Sequence, residues 1–426
     1  MNAAIAVSLL AFFVLAVPIA VSIVLASVVG ITFFTNLPLL LVAQRMFTGI
    51  DSFPLLAIPF FILAGNLMSV GGISERLVGF ARSIIGGIRG GLACTCVLTC
   101  MVFASVSGSS VATTFAIGAI LIPAMVESGY PRRFATSVQA SSAELGVLIP
   151  PSIPLILYGV ATEVSIGQLF IAGIGPGLLI TGGLILYIYL RCRAKGYGEN
   201  DLAGRPPFWP SLRRATFALL MPVVVIGGIY GGIFTPTEAS AVAVVYALVV
   251  GMLVHRTLKI RDLPGILKKS VVSTSVIMLI IAGASLFSFL ISYSGVQGQI
   301  AGFVTSTFEA RWTFLLAVNV LLFVVGMFVE TSAAIIILAP IFAPIALQYG
   351  VDPVHFGLIM VVNLALGMFT PPLGVNLFAA CEVAKIPIDR IITTLLPFVG
   401  VVFLCLMVIT YVPEVTLFLR DVMYAK

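Results

Sequence analysis

The chain has 426 residues, of which 60% are hydrophobic and only 9% charged, with a net charge of +6 and a mean hydropathy of +1.20. Soluble domains carry roughly 25% charged residues, so water is excluded as the main solvent, and a two-domain soluble protein is excluded with it. The basic excess does not point to nucleic acid, because eleven of the 22 Lys and Arg residues fall in two loops between apolar segments.

Uncharged stretches cover residues 2–44, 52–74, 91–126, 145–162, 215–237, 270–308 and 391–413. A helix needs about 20 apolar residues to cross the hydrocarbon layer, which predicts an all-α integral membrane protein. About ten or eleven transmembrane helices are expected, together with two extra apolar hairpins. The N-terminal stretch lacks the basic n-region and small-residue cleavage site of a removable signal peptide, so it is expected to be retained as a helix. Next come Glu75, Arg76, Arg82 and Arg89, which punctuate a semi-apolar arm suited either to a partner or to the membrane interface. A first hairpin follows over 91–130. Its Cys94, Cys96 and Cys100 lie in an apolar run and read as small buried hydrophobes, not as metal ligands or disulfides.

A broken helix is expected over 131–165, then a linker over 196–214. Around that linker Arg191, Arg193, Lys195, Arg205, Arg213 and Arg214 face only Glu199 and Asp201. A second basic loop sets Arg256, Lys259, Arg261, Lys268 and Lys269 against Asp262. The positive-inside rule places both loops in the cytoplasm, with two crossings between them that turn over at 234–239. In the second half a hairpin over 311–350, a broken helix over 353–384 and a last helix over 391–413 complete the chain. The uncharged stretch 296–308 is the counterpart of the arm and is expected to be covered by protein or lipid. His255 and His355 sit at predicted helix ends, in structural positions rather than in a proton relay.

Shifting the first half by 221 residues lays Pro123 on Pro344, Gly129 on Gly350, Leu145-Gly146 on Leu366-Gly367 and Pro150-Pro151 on Pro371-Pro372. Matched apolar residues arise by chance; a matched Leu-Gly-x3-Pro-Pro does not. The pattern predicts a first repeat over 1–195 and a second over 215–426, each with scaffold helices, a hairpin and a broken helix. Arg89, Arg132 and Arg133 flank the first hairpin, whereas Glu309, Arg311, Asp352 and His355 flank the second without a basic excess. The two mouths therefore face opposite sides, and the repeats are inverted.

The first hairpin tip reads Ser105-Val106-Ser107-Gly108-Ser109-Ser110, and the second spans 326–332 with Glu330, Thr331 and Ser332. Irregular polar backbone at mid-membrane depth is tolerated only where protein or water satisfies it, so buried re-entrant tips are expected. Beside each tip a proline pair removes donors and frees carbonyls. Carbonyls and hydroxyls suit a hard cation. Half-helix C-termini can hold Na+, and half-helix N-termini present positive dipole ends to an anion. Packing glycines and kinks alone would also use such residues, but the repetition of both features favours a binding site.

At these residues the sequence resembles the large, DctM-like membrane subunit of the tripartite ATP-independent periplasmic (TRAP) transporters, over nearly the whole chain. The resemblance rests on Asp51-Ser52-Phe53-Pro54-Leu55-Leu56-Ala57-Ile58-Pro59-Phe60-Phe61, Ser107-Gly108-Ser109-Ser110, Leu148-Ile149-Pro150-Pro151-Ser152, Phe234-Thr235-Pro236-Thr237-Glu238-Ala239 and Thr370-Pro371-Pro372. It implies a Na+-coupled elevator transporter of the bacterial inner membrane, with two or more Na+ and neither ATP nor an organic cofactor. It also implies two partners: a small, four-helix DctQ-like membrane subunit and a DctP-like periplasmic binding protein that delivers organic anions. Ala112-Thr113, where some branches carry Ala-Asp, is similar to the C4-dicarboxylate branch. So are Glu330-Thr331-Ser332, Asp352-Pro353-Val354-His355-Phe356-Gly357 and Thr410-Tyr411-Val412-Pro413-Glu414.

Carried onto this chain, the motifs imply one Na+ site at Ser105, Ser107, Gly108, Ser110, Gly146 and Pro150. Repeat symmetry places a second at Gly326, Glu330, Thr331, Gly367 and Thr370, with Ser109, Ser152 and Asn376 as substrate ligands. No Arg or Lys lies at either tip, so bound Na+ and helix dipoles are expected to offset the substrate charge. Glu144 and Glu330 would serve an H+-coupled alternative; sialic acid, sugar acids and sulfonates are alternative solutes. An ATP-driven pump lacks the G-x-x-x-x-G-K-[ST] run, and an intramembrane enzyme lacks H-E-x-x-H or G-x-S-x-G. A channel would have no use for duplicated half-helix sites.

Overall fold

Capping hydroxyls, glycines and prolines cut the apolar stretches into helices. The computed structural model describes residues 2–199, 201 and 205–424, and no strand occurs among them. The first half runs α1 (Asn2–Val14), α2 (Ile19–Phe34), α3 (Leu40–Ile50), α4 (Ala57–Val70), α5 (Ile73–Ile85), α6 (Gly91–Ser107), α7 (Ser110–Glu127), α8 (Arg132–Ser142), α9 (Leu145–Leu148), α10 (Ile153–Thr162) and α11 (Ile166–Lys195). The second runs α12 (Phe208–Tyr230), α13 (Pro236–Val249), α14 (Leu263–Tyr293), α15 (Val296–Thr307), α16 (Arg311–Phe328), α17 (Thr331–Gln348), α18 (Pro353–Met368), α19 (Val375–Ala384), α20 (Ile392–Tyr411) and α21 (Glu414–Tyr424).

Among the described residues nine helices are long and apolar enough to cross a membrane. A tenth is added if Arg132–Leu148 and Ile153–Thr162, bent by 41°, form one span. Apolarity alone suggests more crossings because α2, α6 and α18 are apolar but only 16, 17 and 16 residues long. Leu186, Val245, Val271 and Leu404 are between 59% and 66% exposed, an outward apolar surface that only lipid solvates well.

Helix starts leave backbone N–H groups unpaired, and side chains fill the gap. Ser109, Ser152 and Ser165 accept from the backbones of Ala112, Leu155 and Gln168. Thr235 and Glu238 form a reciprocal capping box at α13, and Glu330 and Asp352 cap α17 and α18.

Two groups of helices result. In the scaffold, α4 packs against α13, and α14 against α2 and α3. In the other group α7 packs on α8, and α18 on α16 and α17. The halves interlock there: α10 lies against α17, and α19 against α7. Each half-helix that follows a break is thus held by the hairpin of the other half. At that junction Gly357 leaves room for the Tyr158 ring, whose hydroxyl donates to the Pro353 carbonyl at 2.8 Å.

The arm is covered from within the chain. Helix α5 buries Ile73, Leu77 and Ala81, packs on α12 and α6 and sets Phe80 6.0 Å from Phe208. Its counterpart α15 buries no residue. There Tyr349 donates to the Phe308 carbonyl at 2.5 Å and to that of Val304 at 3.2 Å. Helix α12 begins inside the stretch read as linker. Ahead of it, Asp201 is buried and accepts from the Tyr130 hydroxyl at 2.5 Å and from Leu92 N–H at 2.9 Å. Arg205 Nε donates to the Ser83 carbonyl at 2.8 Å, so Asp201 is tied to the mouth of the first hairpin and Arg205 to the arm.

Helix α21, which follows the last expected helix, is fastened to the start of α18. Arg420 donates to Asp352 at 2.7 Å, and the His355 ring, fully buried, lies 2.8 Å from Thr416 Oγ1. Burial pushes the Asp352 carboxyl up, but Arg420 and the backbone N–H groups of His355 and Val354 outweigh it and hold the group below its ordinary value. A depressed carboxylate contributes stability above its unfolded value and loses it as pH falls through the folded one. Docking of α21 is therefore expected to persist to below the ordinary aspartate value of 3.8. In Arg420→Gln it should loosen at neutral pH. A spin label at Val422, titrated from about pH 7 to about pH 3, reads both; equal mobility in the two proteins at neutral pH would contradict it.

Candidate functional site

The first tip is a tight reversal forced by local chemistry. Helix α6 ends at Ser107, Gly108 turns with φ of 60°, and Ser109 in extended backbone caps α7. A Cβ on Gly108 would stand 2.8 Å from the Pro151 carbonyl, so glycine is required both by its backbone and by its neighbour. The tip meets the break directly: the Gly108 carbonyl accepts from Ile153 N–H at 3.5 Å. A Cβ on Gly146 would lie 2.7 Å from the Ser109 carbonyl.

The second half repeats the approach with a different residue pair. A Cβ on Gly326 would lie 2.8 Å from the Leu364 carbonyl, and one on Gly367 would lie 2.7 Å from that of Gly326. The peptide bonds Pro150-Pro151 and Pro371-Pro372 are both cis. The two tips also converge on one side chain. Thr331 Oγ1 is 2.8 Å and Ser110 Oγ 3.7 Å from Met368 Sδ, at the end of α18. Met368 is a site residue that sequence reasoning missed, since a Met in an apolar helix carries no signal of its own. Ser105, Ser107 and Ser110 of the first tip and Thr331 and Ser332 of the second are buried at this junction, whereas Phe328 of the second tip is 56% exposed.

Four hydroxyls at the site, those of Ser105, Ser107, Thr113 and Thr370, have committed their protons. Ser105 donates to the Val102 carbonyl at 2.6 Å and Thr370 to that of Leu366 at 2.7 Å. Ser107 and Thr113 share a hydrogen bond of 3.0 Å, and Thr113 also donates to the Ser109 carbonyl at 2.8 Å. A hydroxyl that gives its proton to its own helix can offer a third group only lone pairs, which fits a hard cation held by neutral oxygens. Gly108, Gly146 and Ser110 gather with Ser107 and Thr113 around the first tip, where the neighbour of Gly108 across the break is Pro151 and not Pro150. Around the second, Gly326, Gly367 and Thr331 gather against α18.

Glu330 stands apart in chemistry. Its carboxylate accepts from Ser332 N–H at 2.8 Å, Ala333 N–H at 3.2 Å and Ser332 Oγ at 2.9 Å, so it closes the start of α17. Ser152 likewise caps α10 and donates to the Val147 carbonyl. Asn376 is the opposite case: it is fully buried, and neither its Nδ2 nor its Oδ1 has a partner. Buried polar groups are normally paired, so the residue fits a ligand. Glu144 also carries two unpaired oxygens.

Of the expected ligands, Ser107 and Ser109 line an open cavity. It holds about 370 Å³ between the first tip and the scaffold, where Asn66 and Ser69 of α4 face Lys269 and Ser273 of α14. Ser152 and Asn376 do not line it. Lys269 brings a cation to this cavity, although neither tip carries an Arg or Lys in the sequence. In the sequence it belongs to the basic loop, and only the packing of α14 carries it beside the tip.

Residues 6–415 match the family described as tripartite ATP-independent periplasmic transporter, DctM component. The C4-dicarboxylate TRAP transporter large permease protein of Rhodobacter capsulatus is 40% identical over 97% of this chain and 98% of its own length. The isethionate TRAP transporter permease protein of Oleidesulfovibrio alaskensis is 44% identical over 96% of this chain and 64% of its own. In fold, the chain is similar to the crystal structure of the YdaH transporter of Alcanivorax borkumensis. The TM-score is 0.62 at 16% identity, over 87% of this chain and 88% of that one. The apolar helices, the paired tips and breaks and this match across nearly the whole sequence lead to one conclusion: the chain belongs to the DctM family of TRAP transporter large permeases, multi-pass transport proteins of the bacterial inner membrane and not enzymes.

Proposed function

We propose that this permease couples inward Na+ movement to uptake of an organic anion, with C4-dicarboxylates as the favoured class, by an elevator motion of the hairpin group against the scaffold. The carrying observation is the convergence of both tips on Met368, among hydroxyls whose protons are already committed. Such oxygens favour Na+, and two bound cations would offset a dicarboxylate between them. The reading extends to two inverted repeats, 1–195 and 215–426, joined by 196–214. A four-helix membrane subunit and a periplasmic binding protein would complete the system, in keeping with the tripartite family description. Dicarboxylate and isethionate relatives are about equally similar, so a sulfonate is the second solute class.

The test is uptake of radiolabelled succinate, with isethionate as competitor, into proteoliposomes that hold the chain and its small membrane partner. Uptake that needs both an inward Na+ gradient and added binding protein is expected. Uptake that ignores Na+ and follows a pH gradient would sink the Na+ assignment. Glu144, buried with two unpaired oxygens, is the group that an H+-driven mechanism would use. Glu144→Gln is expected to keep Na+-driven uptake within about threefold, because removing an unpaired buried acid relieves a desolvation cost. Loss of coupling in that variant would favour protons.

A further inference from the structure

A second cavity, of about 390 Å³, lies on the opposite side of the hairpins, between the scaffold and α17. It is lined by Arg45 of α3, by Ser285, Ser288 and Ser292 of α14, and by Pro340 of α17. Each of the two cavities contains one cationic side chain and no acidic one. Both cations stand on the scaffold, each opposite a different hairpin. The Arg45 guanidinium lies 4.0 Å from the centroid of the Phe289 ring, a contact that leaves its N–H edges free to bond an anion in the plane of the group.

Helix α14 lines both spaces. Lys269, Ser273 and Ile277 line the first cavity, and Ile281, Ser285, Ser288 and Ser292 line the second. At about 100° per residue these positions wind round the helix, so Ser292 stands about 140° from Lys269 and the two cavities open on different faces of α14. At about 1.5 Å per residue this lining extends about 35 Å along the helix from Lys269 to Ser292. Its ends are polar, and its middle, Ile277 and Ile281, is apolar. Lys269 follows the basic loop and marks the cytoplasmic end; Ser292 marks the other.

We infer that Arg45 and Lys269 are the outer and inner solute-binding cations of this permease. Each bonds the carboxylate or sulfonate group of the solute in the cavity at one end of α14, while Ile277 and Ile281 lie between the two spaces. This rests on the anion-transport reading above. It gives the charges flanking the apolar helices a role beyond setting topology: a divalent anion entering a low-dielectric cleft gains most from a cation fixed there. The scaffold supplies that cation on both sides, so the hairpin group need carry none.

The experiment uses the chain with its small membrane partner and radiolabelled succinate, in two measurements. In proteoliposomes of known orientation, half-saturation is measured from outside by uptake and from inside by exchange. In detergent at low salt, equilibrium succinate binding is measured directly. Arg45→Gln is expected to raise outside half-saturation about tenfold and leave the inside value within about twofold, and Lys269→Gln should do the reverse. Arg45→Lys and Lys269→Arg should recover most of the difference, and high salt should shrink it. Equal losses of maximal rate with unchanged half-saturation on both sides would overturn the assignment in favour of a structural role for both residues. If the wild-type complex binds succinate through Lys269 yet shows no gradient-driven uptake, the transport reading fails and the cation assignment stands. If it binds none and transports none, both fail.

Discussion

Gly108→Ala is expected to abolish uptake, with a fall of about 100-fold or more, and Gly108→Asn to do no better. Two costs add at this position. The left-handed backbone with φ of 60° penalises a residue with a Cβ by about 1–2 kcal/mol. The Cβ would also stand 2.8 Å from the Pro151 carbonyl, so the tip must move away from the break that it faces. A 100-fold loss corresponds to about 2.7 kcal/mol, within reach of the two together. Asparagine tolerates left-handed backbone but brings the same Cβ, which separates the costs. Gly295 supplies the control: its φ is 68° and nothing lies within 4 Å of a Cβ there. Gly295→Asn should keep uptake within about twofold, because only the mild backbone cost remains. Uptake by Gly108→Asn close to that of Gly295→Asn would show that the tip does not need its contact with Pro151.

What could be read in the sequence follows from how each residue acts. Gly108, Gly146, Gly367 and the two proline pairs alter the backbone where they stand, so motif and spacing alone located both tips and both breaks. Ser109 and Ser152, the expected substrate ligands, also cap α7 and α10. A serine before a helix is suited to either task, so the sequence alone does not reveal the cap. Lys269 and Arg45 were hidden for another reason. Both lie at the edges of charge clusters or apolar runs, where a cation reads as a topology signal. Their cavities exist only because α14 packs against α3 and α4. Asp201 entered the sequence reading as one unit of negative charge in a basic linker; its burial under Tyr130 depends on a partner 71 positions away. Met368 gave no sign at all. Contacts between distant segments decided all four, and local pattern carries no record of them.

Asn376→Leu is expected to move stability and transport in opposite directions. The side chain is fully buried at the start of α19, and both of its polar atoms lack partners. Leaving a buried polar group unpaired costs about 1–3 kcal/mol, and leucine keeps the branched four-atom side chain without the unpaired atoms, its larger methyl groups offsetting part of the gain. In detergent without Na+ or solute, the variant should melt at the wild-type temperature or a few degrees above it. Uptake should nevertheless fall about 30-fold, because the oxygen and N–H groups retained at that cost are the ones a bound ion or anion would use. Asn376→Asp provides the complementary arm: it keeps an oxygen at the same place and adds a charge. That variant should still respond to Na+ while losing affinity for the anionic solute. The outcome that would refute a ligand role is specific. If Asn376→Leu melts several degrees lower and its remaining folded fraction transports at the wild-type rate, the amide serves α19 and its packing on α7, not the transported species.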